Sequence, residues 1–202
     1  MEQARLDAIL AQHAEWVASG GERGTRADLT SANLRSADLT SANLRSADLT
    51  SANLTSANLR SADLTSANLR SANLYGANLR SADLTSANLY GANLTSANLR
   101  SADLTSANLT SANLRSADLT SANLYGANVN GVLGRRLMSV GPVGSRNGLL
   151  IYDADADMVY AGCWRSSLAD LLERVEAVYP EGSQHRAGYL LAIEWLIRAL
   201  AL

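Results

Sequence analysis

Ala27-Asp28-Leu29-Thr30-Ser31 is followed by Ala32-Asn33-Leu34-Arg35-Ser36, and the same five-residue phrase, Ala-(Asp or Asn)-Leu-X-(Ser or Gly), runs unbroken to Gly131. Its leucines fall at 29, 34, 39 and onward to 124, and Val129 closes a series of 21 copies. A period of five matches neither a 3.6-residue helix nor a two-residue strand alternation, so no ordinary amphipathic element explains it. A unit this short cannot bury its leucine alone. Burial requires that units stack, which makes the stretch a solenoid. The twelve-residue string Asn58 to Leu69 recurs at Asn78 to Leu89 and at Asn98 to Leu109, a step of 20 residues that suggests four phrases per coil.

Phrases such as Ala27-Asp28-Leu29-Thr30-Ser31 and Ala77-Asn78-Leu79-Arg80-Ser81 resemble those of the pentapeptide-repeat proteins. That resemblance implies an all-β solenoid, a right-handed quadrilateral β-helix of about five coils with one phrase per side. Leu and the Ala two residues before it would point inward, and the other three positions would face solvent. At roughly 4.8 Å between stacked backbones, the column would stand about 25 Å tall.

Outside the repeats the chain divides into residues 1–26 and 132–202. In the first, Leu6, Ile9, Leu10, His13, Trp16 and Val17 fall on one helical face, and Ser19-Gly20-Gly21 stops the helix. An apolar stripe immediately before a solenoid serves as a lid over its first coil, giving a helical N-terminal cap. A histidine on such a face reads as a packed structural residue rather than a partner of Trp16 in chemistry. In the second, Val132 to Val143 reads as a transition segment. Gly148 to Tyr152 and Met158 to Trp164 read as two strands joined by an acidic turn. Helices then run from Ser167 to Tyr179, starting from Ser166 or Ser167, and from Gln184 to Leu200. The extra apolar residues Leu191 and Trp195 predict contacts on two sides of the last helix. Both end segments resemble those that close natural pentapeptide-repeat proteins.

Composition excludes several functions. A formal net charge of −2 with 47 % hydrophobic residues describes a globular chain without a basic tract for nucleic acid. There is no apolar run of the length a membrane span needs. The single cysteine, Cys163, fits a reducing compartment, so a cytoplasmic location is expected. Asp153, Asp155 and Asp157 have the opening spacing of a calcium loop, but Met158 stands where glycine is required and Trp164 where glutamate is. Cys163 and His185 form no triad with a third orienting group. No catalytic, cofactor-binding or metal-binding residue is expected, and the chain is not expected to be an enzyme.

Function should then lie in the outward residues. Six of the seven repeat aspartates have an arginine three residues earlier, which predicts paired neutral columns such as Arg60, Arg80 and Arg100 beside Asp63, Asp83 and Asp103. Tyr75, Tyr90 and Tyr125 fall on three different sides, with Tyr90 stacked over Arg70. Their following glycines are expected to make room for the rings. Repeats this uniform, in a chain without Phe, resemble an engineered consensus array between natural-like caps. A structural scaffold that requires no partner is the leading expectation. The alternative is the DNA-mimicking, topoisomerase-binding branch of the family, which implies an acidic surface; residues 26–131 instead hold eight Arg and seven Asp. Natural relatives often pair through a terminal face, so a homodimer through a cap is a further expectation.

Overall fold

The computed structural model describes residues 3–143, 148–161 and 164–201. Helix α1 (Gln3–Ala18) leads into the repeats. After them come strands β1 (Leu137–Val143), β2 (Gly148–Asp153), β3 (Met158–Ala161) and β4 (Trp164–Ser166), then helices α2 (Leu168–Val178) and α3 (Gln184–Leu200). No helix among the described residues is long and apolar enough to cross a membrane.

In the repeats, the residue before each leucine pairs in parallel with the residue 20 positions later, from Asp28 with Asp48 to Asn113 with Leu133. The coil therefore has four sides of one phrase each. From Leu29 to Leu114 each leucine N–H donates to the carbonyl one coil on, as from Leu79 to Asn98 at 2.7 Å, so the coils are locked by continuous backbone ladders. Leu29 to Leu124 are all buried, and from Ala47 onward so is the alanine two residues before each leucine. Ala32, Ala37 and Ala42, beside the first coil, are only partly covered.

Each phrase ends in a tight turn. Ala32 N–H donates to the Leu29 carbonyl at 3.0 Å, and the bond repeats at every corner. The third residue of such a turn needs positive φ when the peptide plane is oriented as in type II turns. All the corner serines, Ser31 to Ser121, lie at φ between 54° and 60°, and Gly76, Gly91, Gly126 and Gly131 fill the same place. Those glycines are therefore backbone residues. Toward the adjacent coil there is space: a Cβ at Gly76 would lie 3.8 Å from Ser56 Oγ and one at Gly91 3.7 Å from Ser71 Oγ.

Helix α1 closes the first coil. Leu6 joins the column core with Ile9 and Leu10 packed against it, and His13 Nδ1 accepts the N–H of Ala27 at 3.0 Å. Gly24 lets the return segment touch the helix: a Cβ there would lie 2.3 Å from the Gln12 carbonyl oxygen.

The far end differs from the sequence expectation. The four strands form an antiparallel sheet in the order β1-β2-β3-β4. Residues 137–143, expected as a transition segment, make an edge strand, and Trp164, expected to finish the second strand, opens the fourth. An edge position tolerates Pro142, which has no N–H to give, and the register shifts between Val140 and Val143 around it. One face of the sheet, with Ile151 and Tyr160, joins the core of the column. The other, with Leu150, Tyr152 and Val159, packs on Leu171, Val175, Ile193 and Leu196 of the helices. Coil, sheet and helices form three layers, which is why the successive residues Leu150, Ile151 and Tyr152 of β2 are all buried. Helix α2 is capped by Ser167, whose hydroxyl accepts from the Asp170 N–H in a capping box. Helix α3 packs on β1 and on α2, but the residues that widen its apolar face take little part, for Leu191 is 66 % and Trp195 48 % exposed.

Candidate functional site

The position before each leucine was expected merely to face solvent, but its carboxylate or amide builds the corner. Asp48 Oδ1 accepts the Thr50 N–H at 3.0 Å and the Thr50 hydroxyl at 2.6 Å; Asn78 Oδ1 accepts the Arg80 N–H at 3.2 Å. Asp and Asn are the residues whose side chains reach their own backbone two positions on. The unvarying Asx before every leucine was the sequence signal for this. Amides also climb the wall, as from Asn78 to Asn58 at 3.2 Å and from Asn93 to Asn73 at 3.2 Å. Hydrogen bonds from the Thr50 hydroxyl, then its N–H, hold the Asp48 carboxyl below the usual carboxylate range, and Thr120 does the same for Asp118.

The expected arginine–aspartate columns are absent among the described residues. None of the six pairs three residues apart forms an ion pair, because a corner turns the two side chains onto different sides. The contacts that exist run between coils on one side, Arg100 to Asp118 at 3.5 Å and Arg26 to Asp48 at 3.6 Å. Asp118 stacks over Asn98, two residues before Arg100. Arg70 does lie over the Tyr90 ring, 5.4 Å from its centre, while the coil register keeps Tyr75 and Tyr125 on other sides.

His13 is wholly buried and stacks on Trp16 with ring centres 5.6 Å apart. Burial lowers its pKa, with the Arg45 backbone opposing and the Arg26 charge adding a little. It is a structural pin between lid and column. The carboxylates at 153, 155 and 157 do not converge on one point. Asp153 is fully buried with Oδ2 3.4 Å from Arg135, Asp155 takes Arg136 at 3.0 Å, and Asp157 accepts the Tyr152 hydroxyl at 3.0 Å. No group of three metal-ligating side chains occurs among the described residues. Cys163 lies outside the described residues; His185 is exposed beside Tyr179.

A concavity that sequence reasoning missed lies between the last coil and the sheet. It holds about 290 Å³ and is bounded by Leu119, Ser121, Arg135, Met158, Tyr160 and Arg165. Burial pushes the Tyr160 phenol up to about 12. Arg165 donates from Nη1 to the Ser121 carbonyl, which ties the sheet to the coil. Folding alone brings these residues together, since they come from three separate segments.

The family description "Pentapeptide repeats" matches residues 27–65, 62–100 and 97–133. The chain belongs to the pentapeptide-repeat family. Its column is accordingly the right-handed quadrilateral β-helix of that family, with helical segments at both termini and a small sheet at the C-terminal end. The pentapeptide-repeat chain is similar to Rfr23 from the cyanobacterium Cyanothece 51142, at 38 % identity over 48 % of this chain and 63 % of that one, with a TM-score of 0.42. It is similar to HetL from Nostoc sp. PCC 7120, a pentapeptide-repeat protein involved in heterocyst differentiation regulation, at 35 % identity over 54 % of this chain and 58 % of that one, with a TM-score of 0.30. A pentapeptide-repeat protein of the Arabidopsis thaliana thylakoid lumen is 31 % identical over 47 % of this chain and 63 % of its own, with a TM-score of 0.29. The chain thus spans about three fifths of the length of these relatives. No curated protein matches it.

Proposed function

We propose that this pentapeptide-repeat protein is a non-catalytic structural scaffold, a stiff column whose work is to hold a regular surface. The observation that carries this reading is the use of the polar positions. The carboxylates and amides of the column face bond their own corner N–H groups and the coil above, as in Asp103 with Thr105 and Asn123. Groups committed in this way are structural parts rather than acids, bases or ligands. The near-verbatim repeats support the finer reading that the middle is an engineered consensus array. Exposure of Leu191, Trp195 and Ile197 on α3 supports self-association through the C-terminal cap.

The topoisomerase-binding alternative would need a continuous negative wall. Eight arginines interleaved with seven aspartates oppose it. The deciding experiment is a DNA gyrase supercoiling assay with the protein in molar excess. The scaffold reading expects unchanged activity; stoichiometric inhibition that disappears on reversing the Asp83 and Asp103 charges would overturn it.

A further inference from the structure

Throughout the column the N–H groups of the leucine and of the corner residue point toward the next coil. On the side that ends at the C-terminal cap, Leu99 donates to the Asp118 carbonyl at 2.8 Å and Ser101 to the Thr120 carbonyl at 3.0 Å. Leu119 and Ser121 hold the same two places in the last coil, where the column has no further coil to offer. Neither N–H has a backbone acceptor among the described residues. Both residues border the cavity under the sheet.

Two guanidinium groups flank that same cavity. Arg135 is partly neutralised by the buried Asp153, and its Nε, also buried, makes no hydrogen bond. Arg165 has no carboxylate partner among the described residues. The neighbouring acids are otherwise occupied, Asp155 by Arg136 and Asp157 by the Tyr152 hydroxyl. Leu119, Ala156 and Met158 supply an apolar wall.

We propose that this cavity binds a small organic carboxylate, whose two oxygens take the place of the carbonyls of an absent further coil, whose charge faces Arg165 and Arg135, and whose apolar tail lies on Leu119, Ala156 and Met158. Paired backbone N–H donors beside a cation form the arrangement that recognises carboxylates in folded proteins. A volume of about 290 Å³ admits a compact tail and excludes a large cofactor.

Benzoate is the probe, titrated into the full-length protein by calorimetry and by amide NMR, with benzamide as the uncharged control. Saturable binding of one benzoate per chain is expected, with the largest amide shifts at Leu119 and Ser121 and no saturation by benzamide. Arg165→Gln should weaken binding on the order of tenfold or more, whereas Arg80→Gln on the column wall should leave it unchanged. Inorganic phosphate separates a carboxylate site from a general anion site, and tighter binding of phosphate than of benzoate overturns the proposal. So do equal binding of benzamide, absence of saturation, or shifts that spare Leu119 and Ser121 in the unmodified protein.

Discussion

Replacing corner serines with glycine should stabilise the column. Ser61, Ser66, Ser81 and Ser86 lie mid-column at φ of 57° to 58°, where an L-residue's Cβ crowds its own carbonyl at a cost of roughly 1–2 kcal/mol. Glycine removes that cost and loses about 0.5–1 kcal/mol of chain entropy in exchange. Little packing is lost, since a Cβ at Gly76 would meet only Ser56 Oγ at 3.8 Å. The net gain is about 0.5–1 kcal/mol per corner, or about 2–4 kcal/mol for the four together. For a chain of this size each kcal/mol moves Tm by about 2–4 °C, so the quadruple variant should melt on the order of 10 °C higher. Thermal and denaturant unfolding followed by circular dichroism reads the change, with Gly76→Val as the opposite perturbation expected to lower stability. An unchanged or lowered midpoint in the glycine variant would refute the claim that the corners are strained.

Leu84→Ala, at a wholly buried position mid-column, should cost about 2–5 kcal/mol in denaturant unfolding. The triple change of Arg60, Arg80 and Arg100 to Ser should leave the unfolding midpoint within roughly 1 kcal/mol of the parent at low and high salt, because these arginines do not hold the aspartates around the corner. His13 is held neutral by burial, so the folded protein binds its proton less readily than the unfolded chain. Stability from this residue is fully present above about pH 6.5 and falls as pH drops below that toward the lowered folded value. A His13→Gln variant should lose this pH dependence, which unfolding midpoints at pH 7.5 and 5.5 would show.

The column was legible because a five-residue period with inward leucines admits few other structures, and the 20-residue recurrence of Asn58 to Leu69 already contained the coil. The N-terminal lid was equally legible, since Leu6, Ile9, Leu10 and His13 lie on one helical stripe. The sequence hid whatever depends on how segments meet. Arg100 and Asp103 are neighbours in the chain and strangers in space, because a corner lies between them. Residues 137–143 carry Gly141 and Pro142, which signal irregular chain until an edge position and a register shift make them acceptable in a strand. The cavity under the sheet joins Leu119, Arg135 and Arg165, and no local pattern connects those three.

Along the column each position lies over the one 20 residues later, and cysteine cross-linking probes that register. In a Cys163→Ser background, cysteines at Thr65 and Thr85 would sit on adjacent coils at roughly 4.8 Å, within the range a disulfide spans. Cysteines at Thr65 and Arg80 would lie on different sides of the column. The structure predicts rapid, near-complete oxidation of the 65/85 pair in the folded protein and none within the chain for the 65/80 pair; equal cross-linking of both, or of neither, would contradict the four-sided coil.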